Sequence, residues 1–186
     1  QAASAGAARP VHQRSAHPPT APDEDLDHRV LPVSTPAVRT FLSLGSNLGD
    51  RRQHLSQAIE SLPDVVAVSP VYETEPVGGP GGQGPYLNLV VELHTPIAPR
   101  ALLSICHRIE ANAQRVRGER WGPRTLDVDI LWMDGVTMAD EALTLPHPRW
   151  KDRRFVLAPL RDLAPELVTE RELQLSDGVV TRVEDL

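Results

Sequence analysis

Between Thr40 and Met133 the apolar positions switch back and forth between two periods. Thr40-Phe41-Leu42-Ser43-Leu44 reads as a strand, and Gly45-Ser46-Asn47-Leu48-Gly49-Asp50 turns the chain into a helix. The stripe of that helix, Leu55, Ala58, Ile59 and Leu62, keeps the 3.6-residue period, and Pro63 ends it. Val65 to Tyr72 is a β-rich run broken by Pro70, which predicts an edge strand or a bend. Gly78 to Pro85, with five glycines and two prolines in eight residues, predicts a loop. Tyr86 to Leu93 reads as a second long strand, and Pro99 to Gln114 as an amphipathic helix with Leu102, Cys106, Ile109 and Ala113 inward. A strand at 126–133 runs into an Asp134-Gly135 turn. Beyond it come a short extended piece at Leu143–Pro146, a short helix at Phe155–Leu163 broken by Pro159, and one weak strand or helix after Leu167. The order β-α-β-β-α-β over 40–133 is that of a ferredoxin-like split βαβ unit. It predicts an α+β sandwich, an antiparallel sheet with helices packed on it.

Residues 1–38 break this pattern. They hold six prolines and eight alanines with few large apolar side chains. Such a segment buries too little surface to offset its ordering entropy, so it reads as a disordered extension or linker ahead of a domain at 39–186. It has no apolar core of the kind a secretory signal needs. Gln1 in place of an initiator methionine fits a processed chain or a piece of a longer one. The formal net charge of −6 argues against non-specific nucleic-acid binding through phosphates. The single Cys106 excludes an internal disulfide or a multi-cysteine zinc site, and its helical spacing marks it as a buried structural thiol. No apolar run approaches the length of a membrane span. These features point to a soluble, cytoplasmic protein.

The chemistry concentrates in Arg120-Trp121-Gly122-Pro123-Arg124-Thr125-Leu126-Asp127-Val128-Asp129-Ile130. In a strand, residues two apart share a face, so Asp127 and Asp129 face one way and Leu126, Val128 and Ile130 the other. Alone, the acid pair is an ordinary polar strand face. Arg115, Arg117, Arg120 and Arg124 crowd the ten residues leading into it, and four such cations repel unless an anion or water screens them. Two carboxylates fed by arginines make a seat for a divalent metal, held in the usual way by one or two carboxylates plus substrate phosphates. A second basic group, Arg149, Lys151, Arg153 and Arg154, follows beside His147. The glycine-rich loop lacks the Gly-Lys-Ser/Thr ending of a phosphate cradle; a lid or a plain hairpin loop are equal readings. Tyr86, Trp121 and Phe155 sit at loop edges, where an aromatic can stack on a flat ring as readily as it packs in a core. Asn88, two residues from Tyr86, could read the edge of such a ring. Glu110 pairs most simply with a later arginine or with solvent.

The segments Leu42 to Gly49, Val71 to Pro76, Tyr86-Leu87-Asn88 and Arg115-Val116-Arg117 complete a pattern with the 120–130 block and Leu145-Pro146-His147-Pro148, Arg153 and Phe155. Together they resemble the 6-hydroxymethyl-7,8-dihydropterin pyrophosphokinases of folate biosynthesis over roughly residues 39–170. That resemblance implies transfer of pyrophosphate from ATP to the pterin hydroxymethyl group, with release of AMP. It implies Asp127 and Asp129 as ligands of two magnesium ions, and Arg115 and Arg124 as catalytic with them. It places Glu110, Arg117, Trp121, Ile130, Thr144, His147 and Arg153 on the ATP side. Thr74, Val77, Tyr86, Asn88, Trp121 and Phe155 would form the pterin slot. Three residues depart from common members: His107 stands where many have Gln, Ala142 where some have Arg, and Pro148 where some have an aromatic. Because folate enzymes are often fused, residues 1–38 fit a linker from an upstream pathway enzyme. No residue stands out as a general base. The competing classes are a ferredoxin-like RNA-binding module, which would carry aromatics on a basic sheet, and a different phosphotransferase, which would release ADP or pyrophosphate.

Overall fold

The two longest strands form the centre of one sheet. The computed structural model describes residues 36–76, 81–113 and 122–186. β1 (Val38–Ser46) and β4 (Tyr86–Thr95) pair antiparallel from Val38↔Thr95 to Ser46↔Leu87. β5 (Asp127–Met133) lies on the other side of β1. β2 (Val65–Val68) and β3 (Tyr72–Thr74) follow one another along the far edge of β4. The predicted single run is thus two strands. Ser69 joins them: its N–H donates to the Val90 carbonyl at 2.9 Å, and its hydroxyl accepts from the Val90 N–H at 2.9 Å. Pro70, which has no N–H to offer, then breaks the ladder. With β2 and β3 counted as one interrupted strand, the order is that of the expected ferredoxin-like sheet.

α1 (Arg51–Ser61), capped by Asp50 accepting from the Gln53 N–H at 3.0 Å, and α2 (Pro99–Asn112) cover one face. Leu42, Leu44, Leu89, Val91, Val128 and Ile130 from the strands meet Leu55, Leu102 and Cys106 there. α3 (Arg154–Leu163) covers part of the opposite face, where Phe41, Val90 and Leu131 pack with Val156, Leu157 and Leu160. Pro159 does not break α3 as expected. A proline inside a helix costs about 3 kcal/mol, but three fully buried apolar side chains each contribute about 1.5–3 kcal/mol, and packing prevails.

β6 (Met138–Ala139) and β7 (Thr144–Leu145) form a separate ribbon. The tail contains both α4 (Glu170–Leu175) and β8 (Val180–Arg182), which adds itself to the edge of β3. A register shift at Phe41/Leu42 makes Leu131 an extra residue in β5 and brings Trp132 opposite Phe41, ring centroids 5.9 Å apart.

Candidate active site

The half of the second face that no described helix covers carries the acid pair. Register places Gly45 opposite Asp127 on one side and Asn88 on the other, while Ser43 lies between Asp129 and Val90. Asp127, Gly45 and Asn88 therefore form a row across three strands. A side chain on Gly45 would force the Asn88 carboxamide out of place, since a Cβ there would lie 2.8 Å from Asn88 Oδ1. Asn88 is 3% exposed and donates through Nδ2 to Thr74 Oγ1 at 2.9 Å. This row floors a cleft of about 450 Å³. Thr74, Glu75, Pro76, Tyr86, Asn88 and Phe155 line it together with Arg124, Asp127, Asp129, Arg149, Asp152, Arg153 and Asp177.

Asn47 holds the loops around this floor. It is 7% exposed. Its N–H donates to the Arg124 carbonyl at 3.0 Å, and its Oδ1 accepts from the Arg124 N–H at 2.7 Å. Its Nδ2 donates to the Gly84 carbonyl at 3.2 Å and Gln83 Oε1 at 3.3 Å. One side chain thus ties the end of β1, the glycine-rich segment and the approach to β5. Arg124, fixed by its backbone, bonds Asp127 through its guanidinium. Tyr86 donates its hydroxyl to the Gly122 carbonyl at 3.4 Å.

The second basic group divides by direction. Arg149 and Arg153 face the cleft, whereas Lys151 pairs with Glu172 at 2.7 Å and Arg154 donates to the carbonyls of Leu173 and Gln174. Burial, then nearby Arg149, press the Arg153 guanidinium below its ordinary value, while Asp129 and Asp127 draw it up. Its carbon also sits 5.5 Å from the Phe155 ring centre. Burial, followed by Arg153 and Arg149, keeps His147 below its usual 6.5. The ring is therefore neutral at physiological pH. Its Nδ1 accepts from the Arg149 N–H at 3.2 Å, which leaves the proton on Nε2.

Three expected site residues sit along β5 rather than in the cleft lining. Glu110 is turned inward instead of pairing with solvent: 5% exposed, its Oε1 accepts from the Val128 N–H at 2.9 Å. β5 is an edge strand, and this carboxylate satisfies one of its outward donors. His147 binds the same strand, its N–H donating to the Leu131 carbonyl at 2.8 Å. Ile130 points its side chain into the α1/α2 core, so only its backbone is available to a ligand. Thr144 lies in β7. Val77, Arg115, Arg117, Arg120 and Trp121 lie outside the described residues. Ser43, Gly45, Glu75, Pro76, Asp152 and Asp177 also line the cleft and are not among the expected site residues. The first four lie within the segments Leu42 to Gly49 and Val71 to Pro76 that carry the resemblance, whereas Asp152 and Asp177 have no signal in the sequence.

Paired carboxylates and arginines thus share one cleft with a carboxamide and two aromatic rings. The family model for 7,8-dihydro-6-hydroxymethylpterin-pyrophosphokinase matches residues 41–165. The chain is 43% identical over 157 residues to the 2-amino-4-hydroxy-6-hydroxymethyldihydropteridine pyrophosphokinase of Methylorubrum extorquens, covering 78% of this chain and 99% of that one. It is 40% identical over 148 residues to the Bacillus subtilis enzyme of that name, covering 77% and 88%. A crystal structure of an HPPK-DHPS in complex with substrates has the same fold, with a TM-score of 0.55 at 15% identity over 71% of this chain and 41% of that one. This chain belongs to the 6-hydroxymethyl-7,8-dihydropterin pyrophosphokinase family of folate biosynthesis.

Proposed function

We propose that the protein transfers the pyrophosphoryl group of ATP to the hydroxymethyl oxygen of 6-hydroxymethyl-7,8-dihydropterin and releases AMP. The observation that supports this reading is the shared floor: Asp127 and Asn88 flank Gly45 in one row of one cleft, which suits a reaction between a phosphate chain at the acids and a ring at the carboxamide. Among the described residues no group of three or more metal-ligating side chains gathers. Two aspartates alone suit magnesium that arrives with a nucleotide and keeps phosphate oxygens as its other ligands. Asp127 and Asp129 would hold two such ions, which supply positive charge along the triphosphate when bound.

The chain's own groups do the positioning on which phosphoryl transfer depends. Arg124 and Arg153 neutralise phosphate charge beside the acid pair, with Arg115 and Arg117 assigned the same work. Neutral His147 donates through Nε2. Glu110, Thr144 and the Ile130 backbone complete the ATP side, with Trp121 assigned to it as well. Asn88, braced by Thr74, reads the pterin edge, and Tyr86, Phe155, Trp121 and Val77 enclose the ring.

Purified protein supplied with ATP, magnesium and the pterin is expected to form AMP in step with pterin diphosphate. Asp127→Ala and Asp129→Ala each lower turnover by at least about 100-fold, the scale of losing a preorganised electrostatic group. ADP as product would overturn the reading.

Among the described residues no helix is long and apolar enough to cross a membrane, and we place the protein in the cytoplasm. Residues 1–38 are assigned as an extension or linker to another folate enzyme. An intact native mass near 20.4 kDa would exclude such a fusion.

A further inference from the structure

The side of the cleft that carries Arg153 and Phe155 and the side that carries Thr74 come from distant parts of the chain. The C-terminal segment joins them, although it lies beyond the family match at 41–165. Asp177 is held by its backbone between the two neighbours of Arg153. Its N–H donates to the Asp152 carbonyl at 2.9 Å, and its carbonyl accepts from the Arg154 N–H at 3.0 Å. Gly178, at φ 98°, then turns the chain in a conformation that side chains rarely adopt. Val180 pairs with Thr74 two residues later. Within four residues the backbone passes from the Phe155 side of the slot to the threonine that braces Asn88.

Asp177 lines the cleft on this strap. A carboxylate there repels bare phosphate and accepts from N–H groups. The triphosphate of ATP offers no N–H donor, whereas the amino-pyrimidinone edge of a pterin carries adjacent ones. We propose that Asp177 is a positioning residue for the pterin, its carboxylate accepting from that edge, and that the strap at 176–182 sets the spacing between Phe155 and Thr74. This rests on the pyrophosphokinase reading.

The test uses the full chain with Asp177→Ala, Asp177→Asn and Gly178→Ala, measuring both KM values, kcat and the thermal midpoint. Asp177→Ala is expected to raise the KM for 6-hydroxymethyl-7,8-dihydropterin about ten- to a hundredfold, the loss of one charge-assisted hydrogen bond. The KM for ATP and the thermal midpoint stay near those of the wild type. Gly178→Ala keeps the charge but shifts its position, and raises the same KM by less. Wild type is expected to bind the pterin better than an analogue with a 2-oxo in place of the 2-amino group, and Asp177→Ala to reduce that preference, since Asn88 still reads the edge. If Asp177→Ala proves unstable, Asp177→Asn, of equal size, is expected to weaken the preference without unfolding. An unchanged pterin KM, an equal rise for ATP, or an undiminished 2-amino preference overturns the proposal while leaving the enzyme reading intact. A wild-type chain that makes no pterin diphosphate overturns both.

Discussion

One face of β1, β4 and β5 has two ends built to opposite specifications. At one end Phe41, Val90 and Leu131 are sealed beneath α3. Two residues further along the same strands stand Ser43, Asn88 and Asp129, and after them Gly45 and Asp127, facing a cleft. The β1–β4 register runs unbroken through both ends, and on the β5 side the one-residue shift at Phe41/Leu42 lies between them. The sealed end supplies the rigidity that lets the open end hold charged groups apart without a helix over them. Binding function here is a property of which rows of a sheet are left bare, and β1 is the strand on which the change occurs.

The sharpest break of that comparison is a matched pair of substitutions. Leu157→Ala, at the sealed end, is expected to lower stability by about 2–5 kcal/mol while the folded fraction keeps its turnover. Asp129→Asn, two positions along β5 from Leu131, is expected to do the reverse. Denaturant unfolding combined with AMP release per folded molecule checks both. If Leu157→Ala abolished turnover of the folded fraction, the two ends would not be separable.

A smaller effect comes from the strand edge. Glu110→Ala leaves the Val128 N–H inside the protein without its acceptor and is expected to cost about 1–3 kcal/mol, visible as an earlier unfolding midpoint. Gly45→Ala tests the row across the strands. Its new methyl must displace the Asn88 carboxamide, so the pterin KM is expected to rise about tenfold, the worth of one hydrogen bond, with the ATP KM unchanged.

The mildest test concerns His147, which touches both ends through Leu131 and Arg149. Its folded pKa lies below the unfolded value near 6.5. The unfolded chain therefore takes up the proton first as pH falls. Stability is full above about 6.5 and declines as acid is added, until the folded ring also protonates. His147→Asn is expected to flatten that slope as pH falls below about 6.5, read from unfolding midpoints across the range.

The periodic elements were legible because local pattern specifies them. Asp127 and Asp129 alternate with core residues as written, and the helix at 99–112 buries Leu102, Cys106 and Ile109 as its spacing requires. What local pattern missed was decided by partners distant in the chain. Ser69 keeps its ladder contact through a hydroxyl aimed at Val90, which no propensity anticipates. Pro159 survives in α3 because of what lies beneath it. Glu110 turns inward because β5 has a bare edge. Asp177 reaches the cleft through backbone contacts with Asp152 and Arg154, residues distant in the chain, which no local pattern announces.

Cys106 sits fully buried on α2, behind the strand that carries Asp129. Burial, with the negative charge of Asp129 added, pushes its thiol up to about 12. At pH 7 that leaves on the order of one molecule in 10⁵ as thiolate, the form that reacts with peroxides and disulfides. The same carboxylate assigned to magnesium also helps keep the one sulfur nucleophile of the chain silent, so mild oxidants and thiol-directed reagents should leave the folded protein unmodified.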